Sequence, residues 1–226
     1  MSIKKLLFVT SFCFCVSTAL GQRNYDQYNH IGIFGGVNFS SLNADALTTE
    51  DGTGFMAGFT TRGAFRNNFD LIYGISFIRS EYKIYGRDFN DLSNNGLPVG
   101  IDYYLDAVQV NFLGSYNIVR NHLSIEAGPV LQVNGNLKME RDGFENYNLE
   151  GFETLKAEDI VDINPVHFYL AAGLTAGVRN FRAGVMYQYG VTNLLGKVND
   201  AEGIDQTQGK IKANPSNVAV LLFLYF

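Results

Sequence analysis

The sequence has no tryptophan, 4 prolines and 2 cysteines in 226 residues. Two cysteines cannot build a disulfide scaffold. Charged residues are scarce too, at 17% against the ~25% usual for soluble domains, while apolar residues reach 46%. That balance excludes a disordered chain, which needs low hydrophobicity and high charge. Basic residues are the minority, 17 Lys and Arg against 22 Asp and Glu, for a net charge of −5. The chain therefore lacks the basic excess of a nucleic-acid binder, and no nucleic-acid partner is expected. Past the N-terminal segment no apolar run reaches the 18 or more residues of a membrane-spanning helix. H-E-x-x-H, G-x-S-x-G and phosphate-cradling P-loop motifs are all missing.

Glycine and aromatics are abundant instead. Gly accounts for 24 residues, about 11% against a typical ~7%, and the aromatics, 14%, are all Phe and Tyr. This composition suits many aromatic, glycine-containing β-strands.

The chain opens Met1-Ser2-Ile3-Lys4-Lys5, runs apolar from Leu6 to Val16, and continues Ser17-Thr18-Ala19-Leu20-Gly21. A positive start, a short apolar centre and small residues at cleavage spacing read as a secretory signal peptide over 1–21, cut before Gln22. The alternative, a membrane anchor, is too short for the ~20 residues a spanning helix needs. Cys13 and Cys15 both fall inside this segment, and Phe12 and Phe14 precede them where a lipoprotein would need small residues. Cleavage would remove two lysines and no acid, taking the net charge from −5 to −7. The remainder, 22–226, reads as one domain.

Its dominant signal is alternation with period two. In 181–192, Phe181, Ala183, Val185, Tyr187, Tyr189 and Val191 share one face, and Arg182, Gly184, Met186, Gln188, Gly190 and Thr192 the other. The same pattern recurs at 30–39, 54–66, 69–85, 104–118, 122–133, 165–179 and 217–226. Eight strands result, most of them reaching the ~9–11 residues that a tilted membrane strand requires. Short connections at 66–68, 119–121 and 179–180 alternate with long ones at about 40–53, 86–100, 134–164 and 193–216. Outer-membrane barrels have this habit of short periplasmic turns and long extracellular loops.

The expected fold is therefore all-β: an eight-stranded antiparallel transmembrane β-barrel of up-and-down meander topology, apolar outward and polar inward. A closed sheet pairs every backbone group without an edge, which lipid demands. Eight strands leave an interior that side chains alone can fill, so a wide pore is not expected. Inward positions carry a polar network of Arg62, Gln109, Asn111, Glu126, Arg179, Arg182 and Gln188. Such charges must be paired, because unpaired burial is costly; a salt-bridged plug and an ion-selective path are the two readings. Inward glycines (Gly128, Gly173, Gly177, Gly184, Gly190) would make room for larger neighbours.

Several stretches resemble the PorT-like outer-membrane β-barrel proteins of Bacteroidetes. Tyr187-Gln-Tyr-Gly-Val-Thr-Asn-Leu194 is similar to the family's Y-x-Y-G-L-T-N signature. Tyr104-Leu105-Asp106 resembles its Y-L-E, Ala127-Gly128-Pro129-Val130 its x-G-P-Y, and 30–40 its first strand. Val108 departs from the pattern, which usually places proline there. The resemblance implies a fold and an outer-membrane location, with a link to type IX secretion; none of these motifs is catalytic. The closing Tyr225-Phe226 is similar to the C-terminal aromatic signal read by the barrel assembly machinery, an expected partner besides outer-membrane lipid.

Catalytic chemistry has little foothold. His30, His122 and His167 lie on separate strands or turns, with no metal-ligand spacing. His167, near the extracellular rim with Asp162, is the only seed for a hydrolase, against a bland reading of solvated rim residues. The stretch 140–162 holds Glu140, Asp142, Glu145, Glu150, Glu153, Glu158, Asp159 and Asp162 against Arg141 and Lys156. Carboxylates suit calcium, but no EF-hand spacing occurs, and a solvated loop is the simpler reading. Its Phe144, Tyr147, Leu149 and Phe152 would contact a partner or continue the sheet. No catalytic residue, metal or cofactor is assigned. The expected role is structural or binding, through the loops; a soluble lipocalin-like carrier and a narrow channel are the alternatives.

Overall fold

The computed structural model describes residues 28–88, 97–152, 154–200 and 211–226. The expected signal segment, with both cysteines, and Glu153 lie outside them. Nine strands follow in order: β1 (Asn29–Ala44), β2 (Thr49–Arg66), β3 (Phe69–Arg87), β4 (Val99–Val119), β5 (Leu123–Met139), β6 (Asn148–Leu149), β7 (Val166–Gly177), β8 (Phe181–Gly190) and β9 (Ala213–Tyr225). A short 3-10 turn, Gly196–Asp200, precedes β9.

The eight long strands form an antiparallel meander whose ends meet. β1 pairs with β2 on one side and with β9 on the other, in register Gly36↔Met56 and Gly36↔Leu221. Each long strand is hydrogen-bonded on both flanks, so the sheet closes into a ring. The ninth strand, beyond the eight read from alternation, is the two-residue β6 beside the top of β3, Gly86↔Leu149.

At one end the connections are tight. Asn67 (φ 50°) and Asn121 (φ 64°) take the left-handed conformation there, which Asn tolerates better than most residues. At the other end the strands run further than the alternation suggested. The expected loop at 40–53 shrinks to the stretch between Ala44 and Thr49, and that at 86–100 to the stretch between Arg87 and Val99.

The reason is a change of phase along the strands. On β3, Tyr73, Ile75 and Phe77 point outward and are exposed, whereas further along Arg79, Glu81 and Lys83 occupy the outward positions. Inward positions change the opposite way, from Ser76 to Tyr82 and Ile84. β4 mirrors this, with Val108, Val110 and Phe112 outward in one half and Ile101, Tyr103 and Leu105 inward in the other. Each of these strands thus has one half that is apolar outside and one half that is apolar inside.

Two cores result. One fills the end of the ring with the long connections: Leu155, Ala157, Ile160 and Ile163 from the 140–165 excursion and Leu194, Leu195 and Val198 after β8 pack on Tyr82, Ile101, Tyr103 and Leu137. We call this the cap. The second lies within the lower ring and includes Met56, Ile72, Leu113, Val130, Met186, Leu221 and Phe223. The interior is therefore not polar throughout, as the sequence reading had it. Polar groups sit above and below an apolar layer.

Candidate functional site

The outer surface of the lower ring is a continuous apolar belt. Outward residues run Phe69–Phe77 on β3, Val108–Ile118 on β4, Ile125–Val133 on β5 and Phe181–Val191 from β8, alternating with inward ones. Phe59 is 63% exposed and Leu170 59%, far more than a core residue would be. Among the described residues, the outward positions of this belt carry no charge, and apart from the tyrosine hydroxyls Thr61 is the one polar side chain. The belt spans nine residues on β3 (69–77) and eleven on β4 (108–118), the ~9–11 that cross a bilayer when tilted.

An ordered polar border marks its cap side. Arg79 donates two hydrogen bonds to Asp106, from Nε to Oδ1 at 2.6 Å and from a terminal nitrogen to Oδ2 at 2.8 Å. Its guanidinium lies 4.8 Å from the centre of the Tyr104 ring, and the Lys138 ammonium lies 5.9 Å from the same ring. Such cation–aromatic stacks suit an interface that is apolar on one side and wet on the other. The hydrogen bonds from Arg79 hold the Asp106 carboxyl below its ordinary range. Farther up, Arg87 donates to Glu150 at 2.7 Å, which also lowers that carboxyl.

Inside the tight-turn end, four strands supply a charge network. Arg62 on β2 forms a salt bridge to Asp70 on β3 at 3.0 Å and a second to Glu126 on β5. Tyr28 donates to Asp70 at 2.6 Å, Asn117 donates to it at 3.0 Å, and Thr175 donates to Glu126 at 2.6 Å. Arg182 on β8 donates to Ser124 at 2.8 Å and to Thr175 Oγ1 and the Thr175 carbonyl, both at 3.1 Å. Tyr225 closes the set from β9, its ring centre 6.0 Å from the Arg62 guanidinium. Buried charges survive only with partners of this kind.

Above the apolar layer a second polar tier crosses the ring. Gln109 donates to Gln132 at 2.7 Å and to Gln188 at 2.9 Å, and Gln188 donates back to Gln109 at 3.2 Å. Between the two tiers the remaining cavity is about 40 Å³. Arg62, Gln109, Glu126, Arg182 and Gln188 are thus placed inside, and Asn111 is half-buried. Arg179 is not: it stands exposed in the β7–β8 turn, where its Nε donates to His30 at 3.2 Å. The strand that should have aimed it inward ends at Gly177. Asp70, Asn117 and Tyr225 complete the network and were missed. Nothing in a single strand's alternation identifies a partner on another strand.

Other expectations shift as well. His167 is fully buried, not a solvated rim residue. Its Nδ1 lies 2.8 Å from the Thr192 hydroxyl, and Tyr169 packs edge-on against its ring. Gly190 makes room for it, because a β-carbon there would stand 2.8 Å from His167 Nε2 and from the Pro215 carbonyl oxygen. Asp162, its imagined partner, is exposed and accepts a hydrogen bond from Lys197 instead. Leu149 and Phe152 are core residues of the cap, with Phe144 and Tyr147 packed against it. Of these four, Leu149 continues the sheet as part of β6. Among the described residues no group of three metal-ligating side chains comes together. Tyr225 points inward, so only Phe226 of the closing pair faces out.

No family model matches the chain, and no curated protein does. Among solved structures, the chain is similar in fold to Neisserial surface protein A, NspA, with 10% identity over 87% of this chain and 97% of that one, at a TM-score of 0.49. It is likewise similar to Ail, the attachment invasion locus protein of Yersinia pestis, solved with the heparin analogue sucrose octasulfate. That match has 13% identity over 88% and 99% of the two chains, at a TM-score of 0.45. A third is the outer membrane protein OprG from Pseudomonas aeruginosa, 10% identical over 88% and 97%, also at 0.45.

Proposed function

We propose that this chain is an integral outer-membrane β-barrel, filled rather than open, that acts through its cap. The observation carrying this reading is the uncharged belt. Exposed apolar patches on soluble monomers rarely exceed a few hundred Å², whereas this one encircles the ring. Apolar outside and polar inside is the arrangement lipid selects, and a closed ring satisfies the backbone within it. A soluble carrier of apolar ligands would need the reverse exterior.

The tight turns then face the periplasm and the cap faces outward. The cap presents acids at its surface, including Glu50, Glu81, Glu140, Asp142, Glu158 and Asp159. A solvated acidic surface above an inert stem fits a structural or binding role better than transport or catalysis. The resemblance to PorT-like proteins makes the type IX secretion machinery the first partner to test.

Sidedness is tested by labelling intact cells. Cleavage before Gln22, as the sequence leads one to expect, would remove both cysteines, so that single cysteines can be introduced without background. Under this reading Glu158→Cys reacts with a membrane-impermeant maleimide on whole cells, and Asn67→Cys reacts only after lysis. The reverse pattern, or both sites reacting only after lysis, would overturn the orientation.

A further inference from the structure

The tight-turn mouth of the ring holds a pocket of about 210 Å³ whose walls, among the described residues, include Arg62, Arg120, Arg179 and Arg182 against one carboxylate, Asp70. The inner pair of arginines is unequally served. Both nearby acids bond to Arg62. Among the described residues Arg182, 3% exposed, has hydrogen bonds only to neutral oxygens of Asn121, Ser124 and Thr175. Its Nε has no hydrogen-bond partner among the described residues. A buried guanidinium held by neutral groups alone is a costly arrangement that an anion would relieve. Arg120 and Arg179 stand exposed at the rim above it, where they raise the local positive potential.

We infer that this mouth is a binding site for a phosphate group, which Arg120, Arg179 and Arg182 would share. The three guanidiniums reach the pocket from different elements: the β4–β5 turn, the β7–β8 turn and strand β8. A planar carboxylate matches one arginine fork at a time. A tetrahedral phosphate offers oxygens in several directions and accepts from several forks. Two sources supply the same chemistry, a free phosphate and the headgroup of a lipid in the adjoining leaflet. The inference does not depend on the membrane reading, because the pocket is formed by the folded ring itself.

The test uses the full-length protein folded in maltoside micelles, with inorganic phosphate titrated calorimetrically at constant ionic strength and chloride as control. The comparison is the double variant Arg120→Ala/Arg179→Ala. Both positions are exposed in turns, so folding is preserved and is checked by gel mobility. A second arm asks whether wild type retains phosphatidic acid from mixed micelles with phosphatidylcholine. Loss of two charge-assisted contacts should weaken binding about tenfold or more. Saturable phosphate binding that falls so in the variant supports the site with a free anion as occupant. No response to inorganic phosphate, with phosphatidic acid retained by wild type and lost in the variant, supports it with a lipid headgroup. Indifference to both probes, or equal binding by the variant, overturns it.

Discussion

Arg62 shows how much of this interior depends on single side chains. It is the common partner of Asp70 and Glu126, both buried, so removing it strands two carboxylates. Breaking a buried pair from one side costs about 3–5 kcal/mol, whereas replacing all members together can be nearly neutral. Arg62→Met should therefore lower the unfolding free energy in urea by about that amount. Adding Asp70→Asn and Glu126→Gln should recover much of the loss. If the triple variant is no more stable than the single one, the pairing logic is wrong. A steric counterpart sits at Gly190, where any β-carbon would collide with His167 and the Pro215 carbonyl. Gly190→Val should cost about 1–3 kcal/mol, the usual penalty of overpacking, read as an earlier midpoint in the same titration.

The cap and the belt-bearing halves of the strands obey different rules at the scale of elements. Leu149, Leu155 and Ile160 are buried among residues of the ring and of the connections, so Leu155→Ala should cost the cap about 2–5 kcal/mol. Limited proteolysis should then cut within 140–165 while the belt segments stay protected; loss of the whole ring would contradict two separable cores. Acid should act on the cap in the same direction. The Asp106 and Glu150 carboxyls are both held low by arginines. Their contribution is complete above the ordinary carboxylate pKa near 4 and is lost as pH falls below it. Hydrogen exchange in β6 and its neighbours should therefore be unchanged from pH 7 to 5 and speed up below about 4, after correction for intrinsic rates. An opposite slope would refute these ion pairs.

The same contrast explains what the sequence reveals. The lower strand halves are legible because one phase of alternation is almost uniformly apolar, as in Phe181 to Val191. Beyond Phe77 on β3 the outward phase turns to Arg79, Glu81 and Lys83 while Tyr82 and Ile84 take over inside. A single-phase reading ends the strand there and assigns the rest to loop. Leu155, Ile160, Leu194 and Leu195 show no period at all, since they lie in irregular connections. Arg62, Glu126, Arg182 and Gln188 were placed inward by alternation alone. Their partners depend on register between strands, which local pattern does not contain. Arg179 was misplaced because a strand end moved by two residues.

For the whole molecule, the belt dictates which solvent the ring belongs in. A charge at its middle, Ile75→Arg, should destabilise the protein in bilayers by about 2–4 kcal/mol, the penalty for arginine at the midplane. The same change on a soluble protein would be neutral. The filled interior, with about 40 Å³ of space between its polar tiers and a packed cap above, should give no stable single-channel steps in planar bilayers. Heat-modifiability of the membrane-extracted protein tests the central claim most directly. A closed, lipid-embedded ring should resist detergent and run faster on a gel before boiling than after, from material in the outer-membrane fraction. A single mobility, boiled or not, with the protein in the soluble fraction would contradict it.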